Sequence, residues 1–185
     1  MSGKERRFGG RSARIQASVH QAVEALTSEM DRDELTVPLI AARAGVTPST
    51  IYRRWGGLSE LMADVAVKRL RPIGSPLDTG TLTGDLEAWS EQFMEEMSSD
   101  VGRAMIRDVC GDASNAANAC TCCGYTIDQL TTISVRAADR GETAPPVNDL
   151  IDLIVAPIMY RILYGGVALT STYCKMLVAR ALAAP

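Results

Sequence analysis

The chain has 185 residues, of which 46% are apolar and only 5% aromatic, and its formal net charge is −3. This length suits one large domain or two small ones, and the scarcity of alternating β-branched residues favours an all-helical fold. No apolar run is long enough to span a membrane, and no apolar segment follows the basic N-terminus as in a secretory signal. We therefore expect a cytoplasmic protein with no membrane partner.

Charge is distributed unevenly along the chain. Residues 1–71 carry 12 Lys and Arg against 8 Asp and Glu, whereas residues 72–185 carry 7 against 14. Residues 72–84, PIGSPLDTGTLTG, have the Pro, Gly and Thr content of a linker. We predict two domains, residues 1–71 and 72–185, and expect only the first to meet a polyanion. Chance variation of surface charge is the alternative.

Apolar residues recur at helical spacing from residue 12 to residue 30, which predicts the first helix. A Gly-rich basic arm, residues 1–10, precedes it. Its arginines either lie along phosphates or are simply solvated.

The segment 36–54, TVPLIAARAGVTPSTIYRR, predicts two short helices joined by a tight turn. Thr36 and Thr47 each precede a Pro closely, as helix-capping residues do. Gly45 supplies the backbone freedom that the turn needs, and Gly56 ends the second helix. A helix, a turn and a second helix form the arrangement with which proteins place a helix in the major groove of DNA.

The remaining apolar pattern predicts further helices and no internal repeats. One helix covers residues 58–70. A helical stretch that begins near Leu86 is divided into two helices by a break at Ser98-Ser99-Asp100. A long helix covers about residues 114–140. The last two cover residues 147–164 and 169–182, which gives about nine helices.

The segment TVPLIAARAGVTPSTIYRRWGGLSELM resembles the DNA-binding region of the tetracycline-repressor (TetR) family of transcriptional regulators. The matching residues are Thr36, Ile40, Ala41, Ala44, Gly45, Val46, the run 47–50, Ile51, Tyr52, Trp55, Glu60 and Leu61. Downstream, PLDTGTLTGDL, ADRGE and VAPIMYRILYGG resemble the ligand-binding part of one branch of that family. The resemblance implies an all-α fold with an N-terminal helix-turn-helix domain of three helices and a larger C-terminal helical domain for effector binding and dimerisation.

One position departs from the family pattern. Where the family usually has a Lys that meets a phosphate, this chain has Leu58, preceded by Gly56-Gly57. We expect phosphate contact there to rely on backbone N–H groups at the start of the fourth helix.

The resemblance also implies which residues meet DNA. The second helix of the motif lies in the major groove, and Ser49, Thr50 and Arg53 are candidates for contact with base edges. Arg43, on the preceding helix, could contact either bases or phosphates. For each Arg the alternative is a solvated surface charge. Thr47 also belongs to the candidate site. The residues expected to contact phosphates and to set the register on DNA are Thr36, Tyr52 and Arg54.

A two-fold dimer on a palindromic operator follows from the same resemblance, with the last two helices forming a four-helix interface. The alternative is that these apolar faces belong to the core of one chain. The candidate interface residues are Leu150, Leu153, Ile154, Ile158, Leu177, Val178 and Ala181.

A small-molecule effector is expected in the larger domain, apolar or weakly polar because no cationic cluster is evident. Adaptable Met and large aromatic side chains suit such a cavity, although they also serve as ordinary core. The candidate lining residues are Trp89, Phe93, Met97, Met105, Tyr125, Met159 and Tyr160. The leading hypothesis is thus a repressor released from its operator by a small molecule.

Five cysteines support a second hypothesis, a thiol-based metal or redox sensor built on Cys110, Cys120, Cys122 and Cys123. On a helix Cys120 and Cys123 share a face while Cys122 points elsewhere, so a zinc site would need thiolates from awkward directions. No metal site and no cofactor are predicted. The sequence has no Ser/His/Asp grouping, phosphate loop or His-based metal motif, and we predict no enzymatic activity.

Overall fold

The computed structural model describes residues 10–165 and 169–183, and every regular element within these ranges is helical. The prediction of an all-helical fold with about nine helices is confirmed. The predicted arm, apart from Gly10, lies outside the described residues. The helices are α1 (Gly10–Glu29), α2 (Val37–Ala44), α3 (Pro48–Trp55), α4 (Leu58–Leu70), α5 (Leu82–Ser98), α6 (Asp100–Cys110), α7 (Ala116–Asp139), α8 (Val147–Leu150, Ile151–Val155 and Ala156–Tyr164 in succession) and α9 (Ser171–Ala183).

The chain divides into two compact units, and the division falls inside α4, between Val65 and Ala66. Each unit has its own apolar core. The residues 72–84 predicted as a linker comprise most of the non-helical stretch between α4 and α5 and the first turn of α5. In the described part of the chain no helix is both long and apolar enough to cross a bilayer.

The core of the N-terminal unit joins α1, α2, α3 and α4. Leu26, Ile40, Ile51 and Leu61 are fully buried in it. α2 begins at Thr36, whose hydroxyl oxygen accepts a hydrogen bond from the backbone N–H of Leu39 at 3.4 Å. It ends at Gly45, whose φ of 68° lies in the left-handed region that favours glycine. This turn sends α3 off in a new direction.

The predicted break between α5 and α6 is present and has a local cause. Ser99 is the residue between the two helices, and its hydroxyl accepts the backbone N–H of Gly102 at 2.9 Å to cap α6. A Cβ on Gly102 would meet the carbonyl oxygen of Glu96, so only glycine fits this close junction. The resulting bend lets both helices contribute to one core.

The core of the C-terminal unit is built largely from α5, α7, α8 and α9. Six of the seven residues predicted for the dimer interface are buried within the single chain, and Leu153 is half-buried against the same core. Their apolar spacing reflects intramolecular packing. The six are Leu150, Ile154, Ile158, Leu177, Val178 and Ala181. The dimer interface itself stays a prediction.

A buried carboxylate fixes the start of α5 against the end of α7. Asp85 has no exposed surface; it accepts hydrogen bonds from the backbone N–H of Thr79 at 2.6 Å and from Arg140 at 3.0 Å. Burial raises the pKa of Asp85, but the bonds from Thr79 and Arg140 outweigh it and leave that pKa below its ordinary value. Glu142 also accepts the backbone N–H of Leu82 at 2.9 Å. The segments PLDTGTLTGDL and ADRGE therefore meet in one polar cluster.

α8 is continuous but changes winding along its length. Residues Ile151–Val155 form a π-helical segment between two α-helical segments. Pro157 follows it and has no N–H to donate to the carbonyl of Leu153, so the regular α-helical ladder cannot run through this point. The wider turn accommodates the proline without ending the helix.

Candidate nucleic-acid interface and ligand cavity

α3 presents a polar surface to solvent. Ile51 is its buried anchor, whereas Ser49, Tyr52, Arg53 and Arg54 are exposed. These exposed residues occupy the faces away from Ile51 and are accessible to a binding partner.

Three hydroxyl groups cluster at the amino-terminal end of α3. The Thr47 hydroxyl lies 2.9 Å from that of Ser49 and 3.0 Å from that of Thr50. Each hydroxyl both donates and accepts, so the cluster can offer either kind of hydrogen bond to a base edge or a phosphate. The orientation of the individual hydroxyl hydrogens would adjust to the bound partner.

The three arginines of the motif differ in what holds them. Arg43 forms a bidentate pair with Glu29, at 2.9 and 2.5 Å. Arg54 donates to Ser12 at 2.7 Å and to Gln16 at 3.1 Å. Within residues 10–165 and 169–183, Arg53 has neither a hydrogen bond nor an ion pair, and its guanidinium remains available to an external acceptor.

A carboxylate on α4 anchors the carboxyl end of α3. Asp64 accepts hydrogen bonds from Trp55 at 2.7 Å, from Gln16 at 3.2 Å and from His20 at 2.8 Å. The bond from His20 is the largest cause that lowers the pKa of Asp64, and the bonds from Trp55 and Gln16 lower it further against the opposing effect of burial. Asp64 therefore stays ionised and ties α1, α3 and α4 together.

A cavity of about 640 Å³ lies in the C-terminal unit, within the size range of small-molecule sites. One face of each surrounding helix lines it at helical spacing. α5 contributes Trp89, Phe93 and Met97, and α8 contributes Ile151 and Val155 from its π-helical segment. Residues of α6, α7 and the end of α4 complete the wall, including Met105, Val109, Cys122, Tyr125, Gln129 and Leu70.

Six of the seven residues predicted to line an effector site do line this cavity; the assignment of ligand contacts to them stays a prediction. Tyr160 does not line it. Its side chain is 66% exposed, because its position on α8 faces away from the core. The six cavity residues are Trp89, Phe93, Met97, Met105, Tyr125 and Met159.

Comparison with known proteins connects both regions to one family. Residues 22–65 match the family model described as "Bacterial regulatory proteins, tetR family", and residues 76–181 match "Tetracyclin repressor-like, C-terminal domain". The chain belongs to the TetR family of transcriptional regulators. DNA binding through a helix-turn-helix and regulation of transcription are therefore its general function, and the predicted resemblance is confirmed.

The individual TetR-family proteins that match the chain have low sequence identity to it. The chain is 29% identical over 141 residues to Rv1556, an uncharacterized HTH-type transcriptional regulator of Mycobacterium tuberculosis (strain ATCC 25618 / H37Rv), covering 74% of this chain and 70% of that protein. Among solved structures, the flavonoid-responsive regulator FrrA superposes with a TM-score of 0.61 at 18% identity, covering 92% and 94% of the two chains. A putative TetR-family regulator from Mesorhizobium loti MAFF303099 gives 0.59 at 14% identity, with 94% and 96% covered. At these identities the structural matches show the fold alone.

Leu58, at the position where the resemblance implies a Lys, takes a packing role. It is half-buried at the first turn of α4 and packs against the core of the N-terminal unit. No cationic side chain therefore projects from this position. The start of α4 nonetheless offers the backbone N–H groups that every helix leaves unpaired at its amino end.

The residues that anchor the carboxyl end of α3 were not predicted from the sequence. The apolar spacing and the motif do not identify Asp64, Gln16 or His20 as partners of one another. A signal was present, since Asp64 is the one charged residue in the apolar run LMADVAV and His20 lies on the apolar face of α1. An isolated polar residue on a buried face usually has a partner from another element.

The cysteines give the thiol-sensor hypothesis no support. In the described ranges no three His, Cys, Asp or Glu side chains are grouped so that they could hold a metal ion. Burial, together with neighbouring Cys110 and Cys123, raises the pKa of Cys122 to about 11. A thiol with that pKa is almost wholly protonated at neutral pH and is a poor nucleophile.

Proposed function

We propose that the chain is a homodimeric repressor that binds a palindromic operator through α3 and releases it when a small apolar or weakly polar molecule enters the cavity. The observation that carries the proposal is the presence, in one TetR-family chain, of an exposed helix with an available Arg53 and a large apolar cavity. The function is binding rather than catalysis. Binding to a chromosomal operator also assigns the protein to the cytoplasm.

We assign base reading to the exposed amino-terminal and outer residues of α3. Arg53 is the strongest candidate, because a guanidinium without an internal partner can donate two parallel hydrogen bonds to guanine. Ser49 and Thr50 contribute hydroxyls that suit either donors or acceptors on base edges. Sequence discrimination then depends mainly on Arg53.

Phosphate contact belongs to residues whose side chains are already positioned. Arg54 is oriented by Ser12 and Gln16, and its guanidinium lies 5.2 Å from the ring centre of Trp55. Tyr52 is 51% exposed and can donate its hydroxyl to a phosphate oxygen. Arg43 would have to leave Glu29 to contact DNA, so we assign it a smaller share. Thr36 and Thr47, at the amino ends of their helices, complete the set.

We propose that the dimer forms through the outward face of α8 rather than through the seven residues predicted from sequence. Ala156, Tyr160, Leu163 and Tyr164 follow helical spacing and are all exposed, which leaves an apolar stripe on this helix. The rings of Tyr160 and Tyr164 lie 5.2 Å apart. We expect Leu163→Glu to shift the protein toward monomer in sedimentation velocity, while Val135→Glu, on exposed α7 surface, leaves it dimeric. A dimer that survives Leu163→Glu contradicts this interface.

α4 is the element through which cavity occupancy would influence DNA binding. Its last residues, Arg69 and Leu70, line the cavity, and Ala66 and Val67 pack with Val109 of α6. The helix begins in the N-terminal unit, and we propose that ligand binding at its end changes the affinity for DNA. A ligand can drive such a change only by its difference in affinity for two conformations of the chain.

The test is selection of duplexes from a random pool by the full chain, followed by measurement of its binding affinity for the enriched sequence and for single-base variants of it. We expect an inverted repeat, and we expect Arg53→Ala to lose about 1–3 kcal/mol of discrimination at one base pair in each half-site. Arg43→Ala is the matched control and should change affinity for all sequences alike. Failure to enrich any duplex at low salt would contradict the proposed function.

A further inference from the structure

We propose that the cavity selects a neutral, flat aromatic molecule that carries a hydrogen-bond acceptor such as a carbonyl oxygen, stacked on Phe93 and bonded to the side-chain amide of Gln129. Its regulatory meaning rests on the proposed function, but the binding preference can be measured without DNA. Three features of the cavity support it: the orientation of one amide, the stacking of two aromatic rings and the position of the charges.

The amide of Gln129 has only one possible orientation. The indole Nε1 of Trp89 is a donor and cannot accept, and it lies 2.8 Å from the Gln129 side-chain oxygen. The amide oxygen must therefore face Trp89, which leaves the NH2 group free. Within the described residues this NH2 group has no protein acceptor, and Gln129 lines the cavity. The cavity thus presents a positioned donor and calls for an acceptor on the ligand.

Two stacked aromatic rings line the cavity beside this donor. The rings of Trp89 and Phe93 are stacked, with centres 5.2 Å apart and planes inclined by only 19°. Trp89 is buried, whereas Phe93 is half-buried and lines the cavity. A planar aromatic ring gains more from such a surface than an aliphatic group of equal area does. Met97, Met105 and Met159 line the remaining space, and their thioethers make favourable contacts with ring edges.

The charges of the cavity lie at its exposed margin. Arg69, Arg71 and Glu96 are the charged lining residues in the described part of the chain, and all three are exposed. Glu96 in addition accepts a hydrogen bond from Gln92 at 2.8 Å. Water screens charges in such positions, while the interior offers apolar side chains and the uncharged polar groups of Tyr125, Thr126 and Gln129. A neutral ligand therefore fits better than an ion.

The test uses equilibrium dialysis of the full chain with three probes: 9-fluorenone, fluorene and cyclododecanone. Fluorenone and fluorene share a flat ring system and differ in the carbonyl, whereas cyclododecanone keeps the carbonyl without the flat rings. We expect fluorenone to bind about twofold to tenfold more tightly than fluorene, the ratio that one net hydrogen bond supplies. Fluorenone should also bind more tightly than cyclododecanone.

Two substitutions at Gln129 and one at Phe93 separate the contributions. Gln129→Glu keeps an oxygen acceptor for Trp89 but removes the donor, and Gln129→Met removes both. In each the ratio of fluorenone to fluorene affinity should fall to about one, while fluorene binding reports an intact cavity. Phe93→Leu should weaken both aromatic probes and spare cyclododecanone. An unchanged ratio in both Gln129 variants, equal binding of cyclododecanone, or no binding of any probe overturns the inference.

The operator assay distinguishes this inference from the proposed function. If fluorenone binds with the expected dependence on Gln129 but does not release the selected duplex, the ligand preference stands and the effector role of the cavity fails. If the chain selects no duplex, the dialysis result is unaffected. If the duplex is bound but dialysis shows no carbonyl preference, the regulator stands and the inference falls.

Discussion

Each unit of this protein is held together around one aspartate, and the two aspartates are set differently. Asp85, in the C-terminal unit, has no exposed surface and is bonded to Thr79 and Arg140. Asp64, in the N-terminal unit, keeps part of its side chain exposed and accepts bonds from His20, Trp55 and Gln16. The first joins the start of α5 to the end of α7, and the second holds α3, whose outer face is exposed.

The difference shows what each unit requires. In the C-terminal unit a fully buried carboxylate, bonded to a backbone N–H and a guanidinium, fixes the start of α5 against the end of α7, although its burial costs desolvation free energy. A helix that meets DNA needs to be located but not enclosed. Asp64 positions α3 by accepting the hydrogen bond from Trp55 at the end of this helix, and Arg53 and Tyr52 remain at the surface.

The largest expected effect is that of Asp85→Ala. The change leaves the Thr79 N–H and one side of Arg140 without an acceptor inside the unit. We expect a loss of about 3 kcal/mol in the free energy of unfolding, at the low end for a broken buried pair. Urea unfolding followed by circular dichroism measures it. Asp78→Ala is the matched control, because Asp78 is an exposed partner of the same Arg140 and should cost less than about 1 kcal/mol. Equal losses would remove the distinction between the two carboxylates.

Asp64→Ala should have a smaller effect on stability and a separate effect on DNA binding. It removes the acceptor of the buried His20 and of Trp55, and we expect a loss of about 2 kcal/mol. Affinity for the selected operator should fall as well, because Trp55 ends α3. Asp64→Asn keeps one acceptor oxygen and should lose less of both. Full operator affinity in Asp64→Ala would mean that α3 is positioned without this anchor.

Both aspartates predict a loss of stability in acid. The pKa of Asp64 and the pKa of Asp85 are lower in the folded chain than their ordinary values. Each contribution is fully present above the unfolded pKa, near pH 4, and is lost as the pH falls through the lowered folded pKa. We expect the free energy of unfolding to fall below pH 4 by up to about 1.4 kcal/mol per pH unit for each proton. Asp85→Asn should reduce the slope of the unfolding free energy against pH by the contribution of one proton. An unchanged slope would contradict the role assigned to Asp85.

The smallest expected effect concerns Leu58, the first residue of α4. Leu58→Lys introduces the cation that the resemblance implies at this position, and its aliphatic stem can cover the same core surface. We expect little change in stability and a steeper dependence of operator affinity on salt, by about 0.9 in the logarithmic slope for one added phosphate contact. Leu58→Gln controls for the loss of leucine. An unchanged slope would mean that no phosphate lies near this residue.

Much of the fold could be predicted because it depends on local signals. The spacing of apolar residues predicted the helices, Thr36 and Gly45 marked the ends of α2, and Ser99 marked the break between α5 and α6. The winding of α8 was not predicted, although Pro157 in its middle was a visible cause.

The sites were harder to predict because they depend on which elements meet. Apolar spacing shows that Ile154 and Leu177 face a core, but it does not show whether that core belongs to one chain or two. The same limit explains Tyr160, which lies on the outer face of α8. The bond between Trp89 and Gln129 joins residues 40 positions apart, and no local pattern predicts it.

The two tryptophans of the chain stand one in each unit, and each indole N–H donates to a side-chain oxygen, Trp55 to Asp64 and Trp89 to Gln129. Replacing either by Phe leaves a single intrinsic fluorophore. Emission from Trp89 would then report occupancy of the cavity, and emission from Trp55 would report changes at the carboxyl end of α3. The protein thus carries its own pair of optical probes, with which the two halves of its response can be timed separately.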